Sequence, residues 1–372
     1  MYFASLFSLL IHFMKILIIG PFPQPVFGVS LSNMVLKKGL TSRGFDVRVI
    51  DTATSTTIDS AQGAFSLRKL SFLKHYTRLY KVLSPDIIYC TTGQTFFGII
   101  KYAPFVLLAK ILNKSTIVHV KGGYIKASYE NMSNLKRRIS KFILKSYSKG
   151  IVLSSSLEPL LQDFLPPDKI FVQHNFIQDS LIISEDEVFK QKDLKAIRVI
   201  FLSNLIPEKG IYQLLEALDV LNSNNIPFQA KVAGHIPNGH QDLIEKMNNI
   251  KNLEYVGIVH DRAKIDLLSW GNVFCLPTYY SMEGQPISIL EAMGFGNVII
   301  TTKHAGIPDI CSDKNAVFVE KKDVQSIVNK LKGLSNNINK IEQICRFNLT
   351  EARKLYSEKS FIDGIIKIMK SE

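Results

Sequence analysis

The sequence predicts an α/β protein made of two doubly wound domains, each built on a parallel sheet. Short apolar strand patterns alternate with longer helical patterns along the chain, which is the order of repeated βαβ units. A polar, acidic segment at residues 178–196 divides this pattern into two halves. In addition, 372 residues exceed the size at which a single hydrophobic core usually stops growing. We therefore expect two domains with their boundary near residue 190.

The strands are predicted from β-branched, apolar runs, which are typical of strands buried on both faces of a parallel sheet. The first half contributes KILIIG, DVRVID, DIIYCT, STIVHV and GIVLSS, and the second contributes RVIFLS, FQAKVAG, LEYVGI, VFCLPT and NVIITT. We place an N-terminal domain at residues 14–190 and a C-terminal domain at residues 191–354. The last helix, residues 355–372, is expected to pack back on the N-terminal domain.

The excess of positive over negative residues lies entirely in the first half of the chain. Residues 1–182 hold 22 Lys and Arg against 9 Asp and Glu, whereas residues 183–372 hold 23 of each kind. Such a field suits a nucleic acid, an anionic membrane or a phosphate-bearing substrate, and a basic solvated surface is the plain alternative. Helical spacing places Arg137, Lys141 and Lys145 along one stripe, which suits an anionic membrane surface or a lipid-diphosphate acceptor, and a solvated helix face is equally open.

The first thirteen residues are apolar and uncharged apart from His12. Lys15 interrupts the run well short of the ~18 residues that a membrane span needs. We interpret Met14 as the working start, or the stretch as a weak surface anchor. The four cysteines are widely spaced and predict reduced packing residues, with no disulfide or metal pairing.

The stretch SMEGQPISILEAMGFG, residues 281–296, places two carboxylates eight positions apart. Glu283 lies in a turn marked by Gly and Pro. The segment from Pro286 to Phe295 has the pattern of a short helix that is apolar in most directions, with Glu291 inside it. A buried carboxylate without a partner costs on the order of several kcal/mol. Glu291 is therefore expected to pair internally or to face a polar ligand.

Two loops at strand ends are further candidates for a ligand site. Open α/β sheets bind ligands at the carboxyl ends of their strands, and two facing sheets make a cleft. After the first strand, Gly28 precedes a helix, where a phosphate or an ordinary turn fits equally well. After the first strand of the second half, Lys209 lies where the loop PEKG enters a helix. The spacing around Gly28 is not G-x-G-x-x-G, which lowers the case for an NAD enzyme.

Taken together, these motifs resemble the retaining glycosyltransferases of family four, the glycosyl transferases group 1, which have the GT-B fold. The resemblance covers nearly the whole chain from Met14. It is strongest in VFCLPTYYSMEGQPISILEAMGFGNVIITTKHAGIPDI, where Glu-Gly, Leu-Glu-Ala-Met and Gly-Ile-Pro stand in the family's order. The fold implied is two Rossmann-like domains facing each other across a cleft.

The resemblance implies a role for each matching residue. Glu283 lies beside the donor sugar, Glu291 accepts hydrogen bonds from the nucleotide ribose, and Lys209 neutralises the diphosphate. Gly28 belongs to the glycine loop of the N-terminal domain that faces the diphosphate. The loop that meets sugar hydroxyls and phosphate consists of Gly284, Gln285, Pro286 and Ile287.

Two positions depart from the family pattern. Ser203-Asn204 stands where many members have Gly-Arg, so Asn204 replaces the arginine that usually accompanies the lysine. Lys121 precedes the Gly-Gly pair where many members have a histidine, and His119 lies two residues earlier. On a strand these two side chains point the same way, so both are acceptor-side candidates, and a core role for His119 is equally open.

The expected activity is transfer of a hexosyl-type sugar from a nucleotide-diphosphate sugar to a glycan or polyprenyl-diphosphate-linked acceptor in surface polysaccharide or lipopolysaccharide assembly. The sequence has no Asp-x-Asp motif, so we expect neither a metal nor another cofactor. The expected location is the cytoplasm, peripheral on the inner face of the membrane. One alternative is a sugar-nucleotide epimerase of the same architecture. The other is a non-enzymatic nucleic-acid-binding protein, which only the charge suggests, and we expect no nucleic-acid partner.

Overall fold

The chain folds into two compact units. The computed structural model describes residues 14–24, 26–53 and 67–371. The first unit holds the described residues up to His174 together with those from Phe361 onward, and the second unit is residues 175–360. The apolar stretch before Met14, on which one sequence prediction depends, lies outside the described residues.

The first unit is built on a six-stranded parallel sheet. Its strands are β1 (Lys15–Gly20), β2 (Asp46–Asp51), β3 (Ile87–Cys90), β4 (Ser115–His119), β5 (Lys149–Val152) and β6 (Ile170–Val172). They lie in the order β2-β1-β3-β4-β5-β6. In β1, the residues from Ile16 to Ile19 have no exposed surface, because helices cover both faces of a parallel sheet.

The helices of the first unit connect its strands. They are α1 (Gly28–Ser42), α2 (Phe96–Ile100), α3 (Ala103–Ile111), α4 (Ile125–Glu130) and α5 (Asn134–Leu144), with 3-10 segments at Leu67–Val82, Ser155–Leu160 and Pro167–Lys169.

The second unit carries another six-stranded parallel sheet. Its strands are β7 (Arg198–Leu202), β8 (Gln229–Ala233), β9 (Leu253–Gly257), β10 (Val273–Leu276), β11 (Val298–Thr302) and β12 (Ala316–Val319). The order β12-β11-β10-β7-β8-β9 is that of a Rossmann sheet, in which the direction of strand succession reverses between β7 and β10. A crevice for a ligand is expected at the carboxyl ends of these two neighbouring strands.

The helices of the second unit pack on its sheet. They are α6 (Glu185–Gln191), α7 (Ile211–Ser223), α8 (Asp242–Asn249), α9 (Asp261–Trp270), α10 (Ile287–Gly294), α11 (Val324–Ser335) and α12 (Ile338–Leu355), with 3-10 segments at Asp179–Leu181, Pro207–Lys209 and Ile307–Asp309. Helix α10 is buried from Ile289 to its end, which confirms the short apolar helix that the sequence predicted.

The last helix, α13 (Glu358–Lys370), groups with the first unit from Phe361 onward. Arg43 donates to Asp363 at 2.7 Å, and the buried Lys149 ammonium donates to the carbonyl of Ile368 at 3.1 Å. The sequence places the start of this segment at residue 355, three residues before the helix begins.

All ten predicted strands are present, which confirms the α/β architecture with two parallel sheets. The structure adds β6 and β12, which the sequence analysis missed. Each lies at an edge of its sheet, and they have three and four residues. A run this short does not have enough residues to show a recognisable pattern.

The division between the units lies at residues 174 and 175, whereas we expected it near residue 190. The reason is burial: Ile177, Leu181 and Val188 belong to the hydrophobic core of the second unit although the segment around them is polar. All four cysteines are buried and free, as the sequence predicted. Among the described helices, none has the length and apolar character needed to cross a membrane.

Candidate functional site

The candidate site lies at the carboxyl ends of β7 and β10, where the strand order of the second sheet reverses. The loop after β7 carries Lys209 and the loop after β10 carries Glu283, so the two predicted catalytic residues meet at this point. Lys209 Nζ lies 2.5 Å from Glu283 Oε2. Only 13% of the lysine side chain and 8% of the glutamate side chain are exposed. The site therefore contains a largely desolvated ion pair.

Glu283 is held by its own loop as well as by the lysine. Its backbone N–H donates to the Tyr280 carbonyl at 2.9 Å, and the Thr278 hydroxyl donates to Oε2 at 3.2 Å. Lys209 Nζ also lies 5.0 Å from the centroid of the Tyr280 ring, within cation–π range. The carboxylate oxygen is thus fixed by a cation and a hydroxyl in one orientation.

A glycine allows the two loops to approach each other. Gly210 follows the 3-10 turn that contains Lys209, with a φ of 85°, and a Cβ at this position would lie 2.5 Å from the Pro277 carbonyl oxygen. The Tyr279 N–H then donates to the Glu208 carbonyl at 2.8 Å. Any larger residue at 210 would push Lys209 away from Glu283.

His304 supports the Glu283 loop, and the sequence analysis missed it. Its Nε2 lies 2.8 Å from the Tyr280 carbonyl, the same oxygen that accepts from Glu283 N–H, and Lys321 Nζ lies 3.0 Å from Nδ1. Burial is the main cause that lowers the pKa of His304. The contacts fit a neutral imidazole that donates through Nε2 and accepts from the lysine through Nδ1. The available signal was a histidine two residues after the strand VIITT.

Gln285, a predicted donor-binding residue, forms two hydrogen bonds with Asn175. Its Oε1 accepts from the Asn175 N–H at 2.7 Å, and its backbone carbonyl accepts from Asn175 Nδ2 at 2.8 Å. The carbonyl of the neighbouring Gly284 accepts from Gly306 N–H at 2.8 Å. Asn175, which no sequence motif marks, therefore fixes the loop that leads into α10.

The start of α10 matches the prediction for the loop residues. Pro286 is the residue before the first helical turn, where its missing N–H is not required, and Ile287 begins the helix. Both follow directly on the Glu283 turn. The four loop residues from Gly284 to Ile287 are thus continuous with the N-terminus of a helix.

Glu291 has an internal partner. Its Oε1 accepts from Lys264 Nζ at 2.6 Å, and 2% of the glutamate side chain is exposed. Lys264 lies in the first turn of α9, and the sequence analysis did not consider it. The two partners that the sequence allowed for Glu291 were an internal group or a ligand, and the structure supplies the internal one.

Asn204 lies two residues beyond β7, at the same sheet edge as Lys209. It is partly exposed, and its side chain makes no hydrogen bond to the residues that the structure describes. Its backbone carbonyl accepts from Ile206 N–H at 2.8 Å. The arginine position of the family pattern is therefore occupied by a neutral, partly exposed side chain.

The remaining predicted residues belong to the first unit. Gly28 is exposed and is the first residue of α1, directly after the β1 loop. His119 is fully buried at the end of β4, with Nδ1 hydrogen-bonded to the Tyr89 hydroxyl, and burial lowers its pKa. His119 therefore lies in the core, which is one of the two positions that the sequence analysis left open for it. Lys121 is partly buried, with Nζ 4.9 Å from the Phe361 ring centroid, and burial lowers its pKa well below the usual range.

Comparison with known proteins finds a family model that matches the part of the chain containing this site. Residues 183–346, somewhat under half of the chain, match the model of the family "Glycosyl transferases group 1". This region contains Lys209, Glu283 and Glu291. The chain is 27% identical over 158 residues to the putative colanic acid biosynthesis glycosyltransferase WcaL of Escherichia coli. The aligned region covers 40% of this chain and 39% of that protein. The chain thus spans about two fifths of the length of this relative.

Solved structures resemble the chain over nearly its whole length. Anabaena HepE in complex with UDP and glucose has a TM-score of 0.71 and 18% identity, covering 96% of this chain and 100% of that one. Sucrose-phosphate synthase from Thermosynechococcus elongatus has a TM-score of 0.75 and 14% identity, covering 96% and 98%. At these identities the likeness shows the fold, which confirms the predicted GT-B class.

Proposed function

We propose that this chain, whose residues 183–346 match the model of the glycosyl transferases group 1, moves a sugar from a nucleotide-diphosphate sugar to a glycan or lipid-linked acceptor. The observation that carries the proposal is the Lys209–Glu283 pair at the strand-order reversal of the matched unit. Ligands of Rossmann sheets bind at this position. A buried cation beside a buried carboxylate provides both charges that sugar transfer requires.

The chemistry follows from the charges that develop during the reaction. Breaking a sugar–diphosphate bond builds negative charge on the leaving phosphate and positive charge at the anomeric carbon. Lys209 and the N-terminus of α7, which begins two residues later, would stabilise the phosphate. Glu283 would face the sugar and stabilise the positive carbon. We propose that the reaction needs no metal and retains the anomeric configuration, and that Glu291 accepts from the ribose hydroxyls.

A thermal-shift panel of nucleotide sugars tests the donor site. We expect one donor to raise the unfolding temperature of the wild type by several degrees, with or without EDTA, and to have little effect on Glu291→Gln. Glu254→Gln is the matched control, since Glu254 is an exposed carboxylate of the same unit. If no donor stabilises the wild type, or if Glu291→Gln responds as the wild type does, the donor assignment fails. Product analysis by NMR then gives the anomeric configuration.

For the acceptor, we propose a glycan or a polyprenyl-diphosphate-linked sugar in surface polysaccharide assembly, with Lys121 as an acceptor-side residue. Support comes from WcaL, whose name places it in colanic acid biosynthesis, and from the basic first half of the chain. A phosphate-bearing acceptor is attracted by such a field.

We also propose that the protein works on the inner face of the cytoplasmic membrane through α5. This helix exposes Leu135 and Phe142 beside Lys141, and Lys145 follows at its end. Together with Lys110 and Lys114, Lys145 lines a groove of about 430 Å³. Exposed apolar side chains flanked by lysines are typical of a surface that meets anionic lipids. Arg137 of the predicted stripe instead donates to the Tyr129 carbonyl at 3.2 Å.

Flotation with liposomes tests the membrane proposal. The wild type should float with anionic liposomes at low salt and remain behind with zwitterionic ones. The double variant Lys141→Gln, Lys145→Gln should lose binding, whereas Lys330→Gln, Lys340→Gln, which removes the same charge from exposed sites of the second unit, should not. Equal binding by both double variants would contradict a role for α5.

A further inference from the structure

Each of the two motif glutamates of the second unit has its own lysine. Glu283 pairs with Lys209, and Glu291 pairs with Lys264, which no motif marks. Both carboxylates are almost fully buried, and removing the partner of a buried charge is strongly destabilising. Lys264 is therefore tied to the residue proposed to accept from the ribose.

The position of Lys264 in the fold places it at the ligand edge of the sheet. Helix α9 begins four residues after the carboxyl end of β9, and Lys264 lies in its first turn. Since the sheet is parallel, this end of β9 lies on the same edge as the loops that carry Lys209 and Glu283. With 17% of its side chain exposed, Lys264 reaches Glu291 from the side of that edge.

The contact leaves Glu291 able to accept from a ligand. Lys264 contacts Oε1 at 2.6 Å, and Oε2 has no hydrogen-bond donor among the residues that the structure describes. An ionised carboxylate accepts through both oxygens, whereas a protonated one gives up part of this capacity. The lysine thus fixes the orientation of the carboxylate without using its second oxygen.

The charges of the site show what Lys264 adds. Lys209 alone has to balance Glu283 and to meet the diphosphate, and Asn204 supplies no charge at the position where an arginine was expected. Glu291 without a counter-ion would add a second buried negative charge to a site proposed to bind an anion. With Lys264 in place, the two carboxylates are balanced before the donor arrives.

We infer that Lys264 is a positioning residue for donor binding, which orients Glu291 for the ribose and balances its charge. The inference rests on the proposed function, because it requires a nucleotide in this site. Lys264 would then affect the affinity for the donor as well as the stability of the fold.

Calorimetric titration with a panel of nucleoside diphosphates, UDP included, tests the inference. Lys264→Met should weaken binding by about 10- to 100-fold, since it leaves a buried carboxylate without its partner. Lys264→Arg should stay within a few-fold of the wild type. The matched control is Arg262→Met, which removes an exposed cation from the same helix, paired with Asp266 at 2.9 Å.

The conservative variant and the double variant separate positioning from a purely structural role. Lys264→Arg keeps a cation beside Glu291, so it should restore the binding that Lys264→Met loses. A Kd for Lys264→Met equal to that of Arg262→Met overturns the inference. The double variant Lys264→Met, Glu291→Gln removes the unpaired charge, so it should fold even if the single variant does not. If Lys264 acts through Glu291, the double variant should bind as weakly as Glu291→Gln alone, and a further loss of affinity would contradict the inference.

The proposed function fails separately from this inference. A folded wild type that binds no nucleoside diphosphate contradicts the donor site itself and, with it, any role of Lys264 there. A wild type that binds, together with a Lys264→Met variant that binds as tightly as Arg262→Met, leaves the donor site intact and overturns the role of Lys264.

Discussion

Lys209 Nζ and Glu283 Oε2 lie 2.5 Å apart although 74 residues separate them in the chain. The contact forms because β7 and β10, whose loops carry the two residues, are neighbours in the second sheet. In the absence of a ligand each side chain neutralises the other. A diphosphate that draws the lysine toward itself would free the carboxylate to face the sugar.

Glu283→Gln should lower kcat/KM by about 10²- to 10³-fold, because it removes the negative charge proposed to face the anomeric carbon and keeps the shape of the side chain. The measurement is sugar transfer from the donor identified by thermal shift. Glu254→Gln, which breaks the exposed Lys231–Glu254 pair, should leave activity unchanged. Full activity of Glu283→Gln would remove this carboxylate from the mechanism.

The Asn175–Gln285 contact should matter for both stability and donor affinity. Asn175→Ala leaves the buried Gln285 carbonyl without that donor, at a cost of about 1–3 kcal/mol in the free energy of unfolding. Asn175→Asp should cost more, because it turns a carboxylate oxygen toward the carbonyl. Both variants should raise the donor Kd, since the loop before α10 is held less firmly.

Chemical denaturation and donor titration measure these effects. Asn222→Ala is the matched control, because it removes an exposed amide that donates to the Lys251 carbonyl at 3.0 Å. Its effect should stay within about 0.5 kcal/mol. An Asn175→Asp variant as stable as Asn175→Ala would show that the amide does not act as a donor there.

The sequence identified the elements of the site more readily than the contacts among them. The strand and helix patterns around Lys209, Glu283 and Glu291 are local, so periodicity and turn residues placed all three correctly on their loops and helix. Apolar, β-branched runs likewise predicted ten of the described strands, and the edge strands β6 and β12 were missed.

The partners of these residues carry no local signal. Asn175 lies 110 residues before Gln285, and Lys264 lies 27 residues before Glu291. Which side chain arrives at a loop depends on how helices pack on the sheet, and a single sequence does not specify this. The boundary near residue 190 failed for a related reason, because composition does not reveal that Ile177 and Leu181 are buried in the second unit.

His304 should act through the Tyr280 carbonyl. His304→Leu removes the donor at 2.8 Å and should lower activity by about tenfold, whereas His304→Gln, whose amide N–H replaces Nε2–H, should retain most of it. Sugar transfer measured for both variants checks the prediction. Equal loss in the two variants would point to packing and not to the hydrogen bond.

His304 also predicts a dependence of stability on pH. Its pKa is lowered in the folded protein, so below about 6.5 the unfolded chain takes up a proton first, and stability falls as the pH falls. Denaturation at pH 5.5 and 7.5 should show a smaller loss for His304→Gln than for the wild type. An identical loss would mean that His304 does not titrate in this window.

Lys192 predicts a pH effect of the same origin at a higher pH. Its ammonium is buried and donates to the carbonyls of Leu268 and Gly271 at the end of α9, and burial lowers its pKa to about 8. In the unfolded chain the same group titrates near 10.5. Between these values the unfolded state binds more protons, so stability rises with pH in that window.

The size of this effect follows from the difference between the two pKa values. From pH 8 to 9.5 the wild type should gain on the order of 1–2 kcal/mol relative to Lys192→Met, which has no proton to lose. Lys190→Met is the matched control, because Lys190 is exposed on α6, two residues before Lys192. The curve of its unfolding free energy against pH should run parallel to that of the wild type. Denaturant unfolding at several pH values measures all three proteins. Parallel curves for the wild type and Lys192→Met would show that the Lys192 ammonium keeps the same pKa in the folded and unfolded chain.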